Sequence, residues 1–289
     1  MNQMDLRTLV STAVLAEHLH DPDWVVLDCR HDLLKPEAGR AEYEKSHIPG
    51  ARFMHLDRDL AGPKTGTNGR HPLPDAATFA AKLGAAGISA GIQVIAYDAQ
   101  EGTNASRLWW MLRWLGHDAV AVLDGGWPKW VREKRPCTDA VPRPLPSAFA
   151  PGTGAARGGW VDAAHVLSHL ERQDMLIVDA RSEERFRGEA EPIDPVAGRI
   201  PGAVCRFFRD NLDEKGCFRS PSELRADFDA ILGAHRPEHA VNSCGSGVSA
   251  CHNLLAMEIA GLTGGRLYPG SWSEWCADPA RPVERGAGG

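Results

Sequence analysis

The chain contains itself twice, and this constrains its fold more than any other feature. Val10-Ser-Thr-Ala-Val-Leu-Ala-Glu-His-Leu19 aligns without gaps on Val161-Asp-Ala-Ala-His-Val-Leu-Ser-His-Leu170, and Val25-Val-Leu-Asp-Cys-Arg30 on Leu176-Ile-Val-Asp-Ala-Arg181, both at an offset of 151 (161 − 10). His47-Ile-Pro-Gly-Ala51 recurs as Arg199-Ile-Pro-Gly-Ala203, and Gly126-Trp-Pro-Lys-Trp130 recurs as Ser271-Trp-Ser-Glu-Trp275, the latter at an offset of 145 (272 − 127). A repeat of this length is a duplicated domain, not a solenoid of short units, and 289 residues suffice for two ordinary domains. The expected division is a first domain over 1–137, a linker over 138–159 rich in Pro, Gly and Ala, and a second domain over 160–289. Prolines 142, 144, 146 and 151 deny the linker a helix or a sheet.

Each half begins with a capped helix, with Ser11 or Thr12 as the first cap, followed by an apolar run ending in Asp: Trp24-Val-Val-Leu-Asp28 and Met175-Leu-Ile-Val-Asp179. Short apolar runs of this kind are strands covered on both faces. Helical stretches follow at 76–86 and 222–232, then further buried strands at Gln93-Val-Ile-Ala-Tyr97 and Ala240-Val-Asn-Ser243. This alternation predicts an α/β protein, each domain a mainly parallel sheet with helices on both faces. Ligands of such sheets bind at the carboxyl ends of the strands.

At that position in the second half stands Ser243-Cys-Gly-Ser-Gly-Val-Ser249. A chain that turns tightly at Gly245 and Gly247 and enters a helix aims its N–H groups, and the helix's positive end, at Cys244. Such a field favours the thiolate near neutral pH. Carrying the 145 offset back places Ala99 opposite Cys244, so the chemistry is expected in the second half alone.

Composition narrows the alternatives. The formal charge is −6 with no Lys/Arg run, which argues against nucleic acid or an anionic membrane as partner. The apolar stretch 9–16 is too short for a signal-peptide core, and its twin at 161–170 is internal; no stretch is long enough to span a bilayer. Seven cysteines without a Cys-x-x-Cys pair suit a reducing, cytoplasmic setting rather than a disulfide framework or a zinc site. Gly245-x-Gly247-x-x-Ala250 lacks the acidic partner of a dinucleotide fingerprint. Ala250 also stands where a cysteine phosphatase needs its arginine. No cofactor and no metal are expected.

The loop, together with Arg107-Leu-Trp-Trp-Met-Leu-Arg113, Leu123-Asp-Gly-Gly-Trp127 and Tyr268-Pro-Gly-Ser-Trp-Ser-Glu-Trp275, resembles the tandem-domain rhodanese and 3-mercaptopyruvate sulfurtransferase family over nearly the whole chain. The resemblance implies sulfur transfer from 3-mercaptopyruvate to cyanide or a thiol through a Cys244 persulfide. Thiosulfate is the alternative donor, and a persulfide carrier or interaction module with little turnover is a further reading. The neutral Ser246 favours mercaptopyruvate, because the thiosulfate enzymes carry basic residues after the cysteine.

By the same resemblance the amides of Gly245, Ser246, Gly247, Val248 and Ser249 hold the anionic sulfur, and Arg185 holds the donor anion. Asp59 and His71 work with Ser246 to move a proton. The acceptor is a thiol, such as that of a thioredoxin-like protein. One departure stands out. The family's second arginine follows a Glu-Pro pair, and here that place is Ile193 in Glu191-Pro-Ile-Asp-Pro195. Arg187 or Arg199 substitutes, or Arg185 acts with the loop amides alone. His252 and the tryptophans at 109, 110, 272 and 275 read as packing residues.

Overall fold

A computed structural model of the chain describes residues 6–152, 159–170, 172 and 174–286. Among these, the chain forms two compact units. One comprises Met1–Gly62, Pro74–Ala156 and Lys215–Cys217, the other Pro63–Leu73, Arg157–Glu214 and Phe218–Gly289. The segment Pro63–Leu73, which carries His71, thus belongs to the second unit although it precedes most of the first in sequence. Within the expected linker, residues 153–158 lie outside the described residues; 139–152 carry neither helix nor strand.

The first unit holds a parallel five-stranded sheet of β1 (Leu9–Val10), β2 (Trp24–Asp28), β3 (Arg52–Phe53), β4 (Gln93–Tyr97) and β5 (Val120–Leu123), in the order β1-β5-β4-β2-β3. The second holds β6 (Leu176–Asp179), β7 (Val204–Cys205), β8 (Ala240–Ser243) and β9 (Arg266–Leu267), in the order β7-β6-β8-β9 and again parallel. A bridge from Trp160 to Leu267 stands where β1 stands in the first copy. The two sheets therefore repeat one topology, as the duplicated sequence requires.

The central strands are buried because both faces are covered. Along β6, Leu176 and Val178 enter a core with Leu224, Phe228 and Met257, while Ile177 enters the opposite core with Tyr268, Trp272 and Trp275. Capping follows the sequence: Ser11 accepts from the Val14 N–H at the start of helix Thr12–Glu17, and Ser220 and Glu223 form a capping box ahead of helix Pro221–Leu232. Trp272 and Trp275 place their indole N–H groups on the carbonyls of Val196 and Pro282, each at 2.8 Å, so both are satisfied core residues. His252 is buried, stacked on Phe218 with ring centroids 4.5 Å apart.

The strand registers correct the expected counterpart of the cysteine. Asp28 pairs with Tyr97 in the first sheet, as Asp179 pairs with Ser243 in the second. Trp127 N–H donates to the Asp98 carbonyl at 2.8 Å, and Trp272 N–H to the Cys244 carbonyl at 2.9 Å. Asp98, not Ala99, therefore occupies the cysteine's place; the first copy has one residue more between this point and its tryptophan. The Asp98 carboxylate is buried and accepts the backbone N–H groups of Gln100, Gly102, Asn104 and Ala105 at 2.8–2.9 Å. Burial pushes its carboxyl above the ordinary value, against the pull of those four donors.

The first copy thus keeps an anion-binding loop and fills it with its own side chain. Asp98→Ala should leave four donors without that acceptor and lower the unfolding free energy by about 2–4 kcal/mol. Urea denaturation measures it, and a loss under about 1 kcal/mol would show the cradle to be indifferent to its occupant.

Candidate active site

Cys244 follows β8 at its carboxyl end and is buried. Its Sγ accepts the N–H of Gly247 at 3.1 Å and lies 3.4 Å from that of Ser246. Gly247 is required twice over. Its φ is +74°, and a Cβ there would stand 2.4 Å from the Pro269 carbonyl oxygen. Helix Ser249–Ile259 starts directly behind the loop, and its N-cap Val248 offers no side-chain cap, so the helix's positive end faces the loop. Ser271 adopts a left-handed φ of 52°, as Gly126 does (φ +53°) in the first copy, and accepts the Cys244 N–H on its Oγ at 3.1 Å. The strained backbone is spent on fixing the cysteine.

Burial pushes Cys205 up to about 12, and it raises Cys276 and Cys29 as well. Cys251 is buried and turned to the Gly247 carbonyl at 3.3 Å. None of the seven cysteines, all among the described residues, is in a disulfide.

Ser246 is bonded through Oγ to His71 Nδ1 at 2.8 Å, and both residues are buried. The structure thus brings together Cys244, Ser246 and His71. Asp59 ends the short helix Leu56–Asp59 of the first unit. There one carboxylate oxygen accepts the His55 N–H at 2.8 Å and the other pairs with Lys82 at 3.1 Å. His71 and Ser246 form a buried hydrogen-bonded pair next to Cys244.

Arg185, on helix Glu183–Arg187, is gripped by Glu191 through Nε at 3.1 Å and Nη2 at 2.7 Å. Burial would raise the Glu191 carboxyl. The Arg185 bond, with the N–H groups of Asp194 and Ile193, carries it below the ordinary value. Arg181 is fixed by Asp179 and the Gly198 carbonyl and lies over the Trp272 ring, a structural ion pair.

The expected substitutes for the second arginine are engaged elsewhere. Arg187 is half-buried and paired with Glu183, its helical neighbour. Arg199 is buried over Phe186, bound to Glu284 and to the Gly286 carbonyl. Ile193 is 40% exposed and offers the site only a backbone N–H, which Glu191 accepts. The guanidinium that does reach the loop is that of Arg70. A Cβ built on Gly245 would stand 2.9 Å from its Nη2 and 3.5 Å from Nη1 and Nη2 of Arg185. Nothing in the spacing of Arg70 announced this.

The sequence matches the rhodanese-like domain family over residues 11–133 and again over 162–278. The chain belongs to that family. A probable 3-mercaptopyruvate sulfurtransferase of Pseudomonas aeruginosa is 46% identical, over 98% of this chain and all of the relative. The thiosulfate sulfurtransferase of Bos taurus is 36% identical over 100% and 99% of the two chains. Among solved structures, the 3-mercaptopyruvate sulfotransferase SseA of Escherichia coli superposes with a TM-score of 0.78 at 30% identity, covering 91% of this chain and 98% of that one. Both halves of this rhodanese-like chain are domains of one kind, and only the second carries a cysteine at the loop.

One cluster in the first unit has ligand-type side chains: His31, His55 and Asp57, whose donor atoms lie within 4.8 Å of one another. His55 Nδ1 accepts the Asp57 N–H at 3.1 Å, so a neutral ring carries its proton on Nε2 and has no lone pair there for an ion. No helix among the described residues is long and apolar enough to cross a membrane.

Proposed function

We propose that the chain is a sulfurtransferase that takes sulfur from 3-mercaptopyruvate onto Cys244 and passes it to a thiol or to cyanide. The observation that carries this reading is the Cys244 sulfur set on the Ser246 and Gly247 amides, beside a Ser246 hydroxyl bonded to His71. The Cys244 thiolate attacks the donor sulfur. A sulfur–sulfur bond forms, the carbon–sulfur bond breaks, and its electron pair leaves on the enolate of pyruvate. The proton of the donor thiol passes through Ser246 and His71 to the enolate carbon, leaving a Cys244 persulfide anion and pyruvate. The loop N–H groups receive that anion in place of the thiolate. A second thiol, such as that of a thioredoxin-like protein in the cytoplasm, then attacks the outer sulfur and frees Cys244.

The relative named thiosulfate sulfurtransferase favours a second reading with thiosulfate as donor. That donor splits a sulfur–sulfur bond and releases sulfite, which needs no proton. The Ser246–His71 bond would then have no task, and the neutral Gly245 and Ser246 give a dianion no charge. The kcat/KM for 3-mercaptopyruvate should exceed that for thiosulfate by more than about tenfold, or about 1.4 kcal/mol in the transition state. Steady-state assays of both donors with cyanide as acceptor decide it, and the opposite ratio makes thiosulfate the donor.

A further inference from the structure

Arg70 immediately precedes His71, and its backbone N–H is anchored on Ser273 Oγ at 2.9 Å. Its Nη1 is bonded to one oxygen of Asp194, whose other oxygen accepts Arg185 Nη2 at 3.2 Å. One buried carboxylate therefore ties the two guanidiniums together, and their other edges turn toward Gly245, the residue after Cys244. Part of that surface is unspent. Arg70 Nε is buried without a hydrogen-bond partner, and Arg185 Nη1 makes no hydrogen bond among the described residues. A buried donor left unpaired is costly, and Arg70 Nε, with Arg70 Nη2 and Arg185 Nη1 beside Gly245, marks the place of an absent acceptor.

We propose that Arg70 is the second donor-binding guanidinium of this site, gripping the carboxylate of an α-keto acid donor together with Arg185. The proposal rests on the sulfurtransferase reading and adds a specificity-determining residue to it. It explains how the chain does without an arginine at Ile193: the charge arrives from a different segment of the chain. It also gives Gly245 a purpose, since any Cβ there would meet Arg70 Nη2 at 2.9 Å.

The acids Asp179, Glu191 and Asp194 already balance Arg70, Arg181 and Arg185, so the pocket exerts no large net field on a donor. Selectivity comes instead from the fork geometry, which matches a planar carboxylate. Arg70 shares the segment Pro63–Leu73 with His71, which puts the guanidinium and the imidazole on one stretch of chain.

The test is Arg70→Ala beside Arg70→Lys, assayed with 3-mercaptopyruvate and cyanide. Arg70→Ala should raise KM for 3-mercaptopyruvate about 10- to 100-fold, with kcat changed only a few-fold. Product inhibition by pyruvate, which keeps the carboxylate, should weaken in parallel. KM for cyanide should stay as it was, because the second half-reaction involves no carboxylate. Arg70→Lys should recover part of the loss, and Gly245→Ala, which crowds Arg70 without removing its charge, should shift KM in the same direction.

An unchanged KM and pyruvate inhibition in Arg70→Ala would overturn the proposal. So would a fall in kcat alone with a lower Tm, which would make Arg70 a packing residue. Should Arg70→Ala not fold, Arg70→Lys carries the same two readings. Wild-type protein inert toward 3-mercaptopyruvate overturns the sulfurtransferase reading instead; calorimetry of pyruvate binding to wild type and variant then reads the guanidinium without turnover.

Discussion

Cys244→Ser is expected to abolish sulfur uptake. After treatment with 3-mercaptopyruvate, intact-protein mass spectrometry of the wild type should show a gain of about 32 Da, one sulfur atom on one activated thiol. The variant should show none, and its turnover should fall by at least about 10³-fold, because a serine hydroxyl neither attacks a thiol sulfur nor carries a persulfide. The expectation comes from what surrounds each thiol. Cys244 has its sulfur on two backbone N–H groups at the foot of a helix. Burial raises Cys205, Cys276 and Cys29, and Cys251 faces a carbonyl oxygen. Sulfur mapped by peptide analysis to Cys251 or Cys276 would overturn the assignment.

The fold was legible because a duplicated sequence states its architecture twice. The apolar runs at 24–28 and 175–179, each ending in Asp, form the central strands β2 and, from Leu176, β6, and their short length with apolar residues throughout correctly implied burial on both faces. What the text of the sequence left open was register. Gapless alignment fails across loops, and a shift of one residue sent the cysteine's counterpart to Ala99. Only the hydrogen bond from Trp127 to Asp98 and the pairing of Tyr97 with Asp28 correct it. The correction changes the physics of the first copy: its loop is not an emptied site but one satisfied by a buried carboxylate.

The candidate site was legible where its residues are neighbours in sequence, as in the loop 244–249, and illegible where they meet only in space. Arg187 and Arg199 were reasonable substitutes for the missing arginine because they lie near Ile193 in sequence. A helical partner, Glu183, takes Arg187, and a core of Phe186, Glu284 and the Gly286 carbonyl takes Arg199. Arg70 is 115 residues from Arg185 (185 − 70), and it arrives because Pro63–Leu73 packs with the second unit. No periodicity or motif encodes that. The Asp59 carboxylate accepts the His55 N–H and pairs with Lys82 in the first unit.

His71→Ala separates the chemistry of the two donors. If His71 and Ser246 carry the donor's thiol proton to the departing enolate, the variant should lose about 10²–10⁴-fold in kcat with 3-mercaptopyruvate, the ordinary worth of positioned acid–base assistance. Whatever thiosulfate activity the protein has should change little, because sulfite leaves without that proton. The 2.8 Å bond between His71 Nδ1 and Ser246 Oγ makes the two residues one device, so Ser246→Ala should show much of the same selective loss, and the double variant little more than either single one. The comparison guards against a trivial outcome. His71 is buried, and removing its ring leaves a cavity that lowers stability whatever its role. A stability defect, however, would reduce both donors alike and would show as a lower Tm. An equal loss with both donors, in step with the fall in Tm, would reduce His71 to a packing residue and leave the enolate to take its proton from water.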